Sequence, residues 1–196
     1  MAKRDDILYT ALRLFNEHGY QAVGVDRIRD EAKVSKMTLY KHFSNKEKLV
    51  EEVLKLRHQL FKNSLEQAVG EMPPPYEKLR EFFNWHVRWF FSKEFHGCMF
   101  IKATGEFHET EELQTVSQAH KDWVTQLLQS IFEGLNHPEP KAIARLFQTT
   151  MDGMIVNASI FHSFERIQGL WEELCKLSGL PYAPLEMPSS DTPKLT

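Results

Sequence analysis

Between Val25 and Phe43 the sequence carries two apolar patterns, each too short to hold as a helix alone, joined by a turn of about three residues. Ile28 and Ala32 share one face of the first, and Leu39 and Phe43 share one face of the second. Val34 lies between them and can plug the turn. Helices this short persist only when packed against each other and against a third element. Ile7, Leu8, Ala11, Leu12 and Phe15 supply that element, recurring at helical spacing until Gly19, a residue able to take the left-handed conformation that ends a helix. The spacing therefore predicts short helices over Asp26 to Ala32 and Lys36 to Phe43. With the supporting helix before them they form a helix-turn-helix, whose second helix is the one that enters a DNA major groove.

Ser35 stands at the N-cap of that second helix. With Leu39 and Phe43 turned inward, Lys36, Met37, Thr38, Tyr40, Lys41 and His42 face outward. Exposed Met and Tyr among cations suit a groove wall better than plain water. Lys36, Met37 and Thr38, near the helix N-terminus, are placed for base edges, while lysines and a tyrosine hydroxyl bond phosphates and fix register. Arg27, Lys33 and Ser35 complete the candidate set, with Lys46 adding a charge and a backbone donor at the start of the next helix. The competing reading is a structural three-helix unit with a solvated basic face.

Overall charge seems to oppose a nucleic-acid partner, because 24 Lys and Arg face 27 Asp and Glu, a net of −3 over 196 residues. Its distribution reverses the argument. Residues 1 to 62 carry a net +4 and residues 63 to 196 a net −7, a small basic module joined to an acidic body. At 42% hydrophobic the chain can bury a core, so disorder of the whole is excluded. Two cysteines far apart, Cys98 and Cys175, exclude a disulfide-dense scaffold and a Cys-rich zinc module. No stretch approaches the roughly 18 uninterrupted apolar residues of a membrane span, and the N-terminus turns acidic at Asp5-Asp6, where a signal peptide would begin its apolar run. The expectation is a cytoplasmic protein with no membrane partner.

Helical spacing continues through the rest of the chain, which reads as all-α with about nine helices. Ser44-Asn45-Lys46-Glu47 has the form of a capping box, with Ser44 and Glu47 as its partners, opening a long helix striped by Leu49, Val53, Leu56 and Leu60. Gly70 and Pro73-Pro74-Pro75 end it. Further stripes are Leu79, Phe82, Phe83, His86 and Phe90; Leu113, Val116, His120, Val124, Leu127 and Ile131; Ile143, Phe147, Thr150, Met154, Ala158 and Phe161; and Ile167, Leu170, Trp171, Leu174 and Leu177. These divide the chain into a DNA-binding module over residues 1–48, a linking helix over 46–70, a body over 71–180, and a flexible Pro- and Ser-rich tail over 181–196.

The stretch from Ile7 to Leu54 resembles the tetracycline-repressor (TetR) family of bacterial transcription regulators. The resemblance rests on Ala11, Leu14-Phe15, Gly19-Tyr20, Ile28, Ala32 and Val34-Ser35, then on Tyr40-Lys41-His42-Phe43 and Lys46-Glu47 with Leu49. It covers about a quarter of the chain. Two positions depart from the family pattern: Lys33 replaces the usual turn glycine, and Gly24 replaces the Ser or Thr that caps the first short helix and touches phosphate. The resemblance implies a homodimer on a palindromic operator and a small-molecule inducer bound in the body, with no cofactor.

In related proteins the last two helices form a four-helix bundle across a two-fold axis. That places Phe147, Met154, Phe161, Ile167, Leu170, Trp171 and Leu174 at a dimer interface, with intramolecular core as the alternative for each. The inducer cavity would be lined by Trp85, His86, Trp89, Phe100, Phe107, Trp123 and Phe147, with Met151 and Met154 as adaptable walls and Thr104, His120 and Asn157 orienting a polar group. For each aromatic, plain core is the alternative. Cys98 at a helix start admits a redox or electrophile sensor, although no resolving cysteine is near. The spacing of His86, His96, His108 and His120 does not match a metal-ligand set. No nucleophile with its base, paired carboxylates or phosphate loop stands out, so an enzyme is not expected. A ligand-responsive repressor is the leading expectation. An activator using the same module, or an all-helical carrier or enzyme, is the alternative.

Overall fold

The computed structural model describes residues 2–72, 74–188, 193 and 195. Among the described residues there are nine α-helices and no strand: α1 (Ala2–His18), α2 (Val25–Glu31), α3 (Lys36–His42), α4 (Lys46–Gly70), α5 (Pro75–Phe90), α6 (Met99–Glu106), α7 (Glu111–Gly134), α8 (Pro140–Phe161) and α9 (Phe164–Leu177). They fall into two compact units. The first holds residues 1–61, 98–120 and 195–196; the second holds 62–97 and 121–194. Within the described residues no helix is long and apolar enough to cross a membrane.

The first unit is built around α1. Ile7, Ala11, Leu12, Leu14 and Phe15 are fully buried along it, and Ile28 of α2 with Leu39 and Phe43 of the α3 region complete the core. Gly19 ends α1 at φ +79°, and a Cβ there would meet Glu106 Oε1 at 3.2 Å, so the position favours glycine for both its backbone and its surroundings. The Ser35 hydroxyl accepts from the Thr38 amide at 3.1 Å and caps α3. At α4 the outcome differs from the capping-box expectation: the helix begins at Lys46, and Asn45 Oδ1 accepts the Lys48 amide at 2.8 Å. A one-residue shift in the helix start moves the capping role from Ser44 to Asn45. The buried face of α4 is turned relative to the expected stripe as well. Leu49, Val50, Val53, Leu54, Arg57 and Phe61 are inside, whereas Leu56 and Leu60 are half-buried.

The second unit has an aromatic centre. The Phe83 ring lies 4.6 Å from that of Trp171 and 5.9 Å from that of Phe147, and Phe147 lies 4.8 Å from Phe132. Pro75 opens α5 at its first turn, where a missing amide costs nothing. The start of the tail is held more firmly than its composition suggests. Trp171 Nε1 donates to the Ala183 carbonyl (2.9 Å), and the Ala183, Leu185 and Glu186 amides donate to Tyr76 Oη, Gln168 Oε1 and Asn84 Oδ1 at 2.9–3.0 Å. Residues 181–186 are thus fixed by side chains of α5 and α9 that satisfy their backbone, and Leu185 is buried. Tail residues 189–192, 194 and 196 lie outside the described residues.

Lys33 sits in the turn between α2 and α3 at φ +54°, a left-handed conformation that a side chain resists. Replacing Lys33 with Gly is expected to stabilise the protein by about 1 kcal/mol. Urea denaturation checks this, and an unchanged or lower midpoint would mean that the lysine side chain contributes packing of comparable size.

Candidate nucleic-acid interface

The seven residues of α3 divide cleanly by exposure. Leu39 is buried with Phe43 just beyond it, while Met37 is 81% and Tyr40 42% exposed, with Lys36, Lys41 and His42 also exposed. Thr38 is half-buried and its hydroxyl is 2.8 Å from that of Ser35. Lys33 is exposed at the turn and Lys46 is half-buried at the start of α4, where burial lowers its pKa. All of these expected contact residues belong to the first unit.

Charge on the two short helices is used differently. On α2, Arg27 pairs with Glu31 at 2.9 Å, and Arg29 pairs with Asp26 at 2.9 Å and Asp30 at 2.6 Å, so its cations are largely neutralised. Arg27 also reaches His18 Nε2 at 3.0 Å, which turns its guanidinium toward α1. On α3, Lys36 is 3.7 Å from Asp26, and among the described residues neither Lys33 nor Lys41 forms an ion pair. The result is a positive, partly apolar surface confined to the outward side of α3 and its flanks. That combination can neutralise phosphates and press Met and Tyr against base edges.

Groups outside the motif hold it in place. Arg4 bonds Glu52 at 2.7 Å and lies over the Phe43 ring at 5.4 Å, linking the start of α1 to the end of α3 and to α4. At the other end of α1, the Glu106 carboxylate of α6 accepts the Tyr20 amide at 3.3 Å and the Gln21 amide at 2.7 Å. The Tyr20 hydroxyl donates to the Met99 carbonyl at 2.9 Å, and Lys102 Nζ donates to the Asn16 carbonyl at 3.2 Å. Burial raises the Tyr20 phenol well above its ordinary pKa, so it remains a donor. Sequence periodicity points to none of these partners except Tyr20, which is part of the family pattern.

The expected inducer residues are distributed over both units. In the first, Phe100 stacks on buried His120 at 3.7 Å with 9° between rings, and His120 Nδ1 is 3.1 Å from Nδ1 of His58. Phe107 packs edge-on against Tyr20, and the Thr104 hydroxyl bonds its own helix at the Ile101 carbonyl. His58 is absent from the sequence expectations. In the second unit, Trp85, His86, Trp89, Phe147, Met151 and Met154 are buried, Trp85 Nε1 bonds Ser64 Oγ at 3.0 Å, and Trp123 Nε1 bonds Glu66 at 3.0 Å. The Asn157 amide returns to the Gly153 carbonyl at 3.0 Å. Cys98 is buried at the start of α6, and among the described residues no group of three or more His, Cys, Asp or Glu is placed to hold a metal.

Most of the expected interface residues take the core placement that the sequence left open as the alternative. Phe147, Met154, Ile167, Trp171 and Leu174 are buried inside the second unit's own core, which leaves Phe161 exposed and Leu170 half-buried. The stripe identified from periodicity is the one that covers α5. The outward face of α8 presents Leu146, Val156, Ile160 and Phe161, and Leu177 of α9 is exposed as well.

Residues 7–53 match the family model described as bacterial regulatory proteins, tetR family. Over 158 residues, 78% of this chain, it is 28% identical to the uncharacterised HTH-type transcriptional regulator YxaF of Bacillus subtilis, of which the match spans 83%. A TetR-family transcriptional regulator from Streptomyces coelicolor superposes with a TM-score of 0.82 at 26% identity, covering 90% of this chain and 96% of that one. Residues 7–53 thus carry a TetR-type DNA-binding module, and the described fold is that of TetR-family regulators. The chain is a DNA-binding transcriptional regulator with the N-terminal helix-turn-helix and C-terminal helical body of that family. The HTH-type transcriptional repressor KstR2 of Mycolicibacterium smegmatis is 34% identical over 82 residues, 42% of this chain and 40% of that protein. These relatives are regulators rather than enzymes.

His86 gives the second unit a built-in acid sensitivity. Burial pushes its imidazole down to about 3, and its Nδ1–H donates to the Phe82 carbonyl at 2.7 Å. In the unfolded chain the same group takes up a proton near pH 6.5. Stability is therefore complete above about pH 6.5 and declines as pH falls toward about 3, the loss reaching roughly 2 kcal/mol at pH 5. Thermal melts between pH 7.5 and 4.5 should show this decline reduced in His86→Gln, and equal slopes in the two proteins would refute the assignment.

Proposed function

We propose that the protein is an effector-responsive repressor that binds a palindromic operator as a homodimer, residues 1–48 forming its reading module. The observation that carries this reading is the outward face of α3, where Lys36, Met37, Tyr40, Lys41 and His42 are exposed over a core of Leu39 and Phe43. Lys36, Met37 and Thr38 meet base edges, while Lys33, Tyr40, Lys41, His42 and Lys46 meet phosphate, with Ser35 and Arg27 at the margin. Repression is the mode named for KstR2, and it requires only that bound protein obstruct transcription. A reporter behind the operator decides the sign: expression should fall when the protein is present, and a rise would make it an activator.

Two half-sites lie about 34 to 36 Å apart, or a multiple of that, and a single helix-turn-helix reads one. The second copy comes through α8 and α9. Leu146, Thr149, Gly153, Val156 and Ile160 recur at spacings of three and four along the exposed side of α8. Gly153 has no neighbour within 4 Å of a built Cβ, so this side allows another helix to approach closely. An effector held among the aromatic side chains of the body shifts the dimer toward a conformer whose recognition helices are wrongly spaced. Such coupling is typically about 1 to 3 kcal/mol and depends on different effector affinities in the two conformers.

Selection of bound DNA from a random pool should return an inverted repeat. On that site, Lys41→Ala should weaken binding at every salt concentration and reduce the slope of log affinity against log salt by about one. Fluorescence anisotropy reads both quantities, and an unchanged slope would remove Lys41 from the phosphate contacts. Ile160 is 63% exposed, so Ile160→Lys should leave the fold intact while raising the dimer dissociation constant by about thirtyfold or more. Sedimentation velocity would show this as monomer, and an undisturbed dimer would place the interface elsewhere.

A further inference from the structure

Met37, the second residue of α3, is 81% exposed, and among the described residues no large apolar side chain stands further out of the protein. Leu39, two residues on, is 1% exposed, so α3 already has its core-facing side and Met37 is not part of it. The residues beside Met37 are engaged within the module. Lys36 leans toward Asp26 of α2, with 3.7 Å between Nζ and Oδ1, and the Thr38 hydroxyl is 2.8 Å from that of Ser35. Tyr40 and Lys41 follow Met37 at three and four residues, the spacings that share a helix face, and both are exposed. Lys41 on this face and Lys33 in the preceding turn form no ion pair among the described residues. The thioether therefore projects from a surface whose other groups draw phosphate.

We propose that Met37 reads the C5-methyl group of a thymine in each operator half-site, which makes it a specificity-determining residue. This deepens the reading of the chain as an operator-binding regulator and rests on it. In the major groove guanine, adenine and cytosine present hydrogen-bond donors and acceptors, and thymine alone of the four adds an apolar group. A thioether is a weak acceptor and no donor, so hydrogen bonding gives methionine little means of choosing between bases. It can instead cover a methyl group, and its unbranched, polarisable chain adapts to the place where that group lies. Phosphates held by Tyr40 and Lys41, one turn along the same face, set the depth of α3 in the groove and bring Met37 onto the base edges. The contact withdraws from water two apolar groups that are both exposed in the free molecules. Opposite any other base, the same side chain displaces water from a polar edge without replacing its hydrogen bonds.

The test uses the full-length chain and the inverted repeat that selection from a random pool returns. Each thymine is replaced in turn by deoxyuridine, symmetrically in both half-sites, which deletes the methyl and keeps the base pairing. One such replacement is expected to weaken wild-type binding about fifteenfold, about fourfold for each methyl lost. Met37→Ala is expected to bind the thymine and deoxyuridine operators equally, within about twofold. Because Met37 is exposed, this variant keeps the fold, which circular dichroism verifies. Comparing the two proteins also cancels any effect of the methyl on the shape of the DNA. A wild type indifferent to every replacement overturns the proposal. So does a Met37→Ala variant as sensitive as the wild type, because another side chain then reads the methyl, Thr38 being the neighbour with a methyl of its own. A selection that returns no DNA overturns the regulator reading itself, whereas a bound operator without methyl sensitivity removes only this role of Met37.

Discussion

The reading surface depends on how the chain fixes two seven-residue helices that could not persist alone. Such helices gain little from their own hydrogen bonds, because nucleation consumes most of what a few bonds return. Their geometry comes from α1, and α1 is tied at both ends: Arg4 reaches Glu52 and Phe43 at one, and Glu106 grips the Tyr20 and Gln21 amides at the other. Removing the Glu106 carboxylate would leave the part-buried Tyr20 amide without its acceptor, a cost of about 1 to 3 kcal/mol, while the exposed Gln21 amide would turn to water. This makes α6 a structural part of the DNA-binding unit, although it lies some eighty residues away in sequence. A change that moved α6 would move the end of α1 and the turn into α2.

Sequence legibility followed the distance over which each feature is decided. The core of the helix-turn-helix was readable because Ile28, Leu39 and Phe43 sit at local spacings that allow a single packing solution. The cap of α4 was misplaced by one residue, since Ser44 and Asn45 are both competent caps and the choice depends on where the helix starts. The dimer stripe was ambiguous for a different reason. α8 is apolar on more than one side, and periodicity detects an apolar face without saying whether it covers the chain's own core or a second molecule. Phe83 settles that choice, by drawing Phe147 and Trp171 inward.

Long-range polar partners were the least legible. Nothing near Arg57 in sequence announces Leu195, and nothing near Trp171 announces Ala183. The usable signal was the mismatch itself, an arginine in a stripe that otherwise reads Val53, Leu54 and Phe61. The tail illustrates the converse error. A Pro-rich segment lacks its own regular structure, but proline also lowers the entropy lost when a segment is held extended. Side chains of α5 and α9 then need only satisfy a few amides to fix it, as Tyr76, Asn84 and Gln168 do.

Charge partition joins these observations. A chain carrying +4 in its first 62 residues and −7 in the rest directs its attraction for DNA to one end. The pairing on α2 narrows it further, because Arg27 and Arg29 are held by neighbouring carboxylates while Lys33 and Lys41 are left to meet solvent or phosphate. Nonspecific affinity scales with the number of phosphates neutralised, so a surface with so few available cations binds random DNA weakly. On the reading proposed here, specific recognition then comes from the fit of Lys36, Met37 and Thr38 to base edges, and such a fit is sensitive to small displacements of α3. A reader with weak background affinity and a rigidly held recognition helix is well suited to control by a ligand, since a coupling energy of about 1 to 3 kcal/mol is enough to release it.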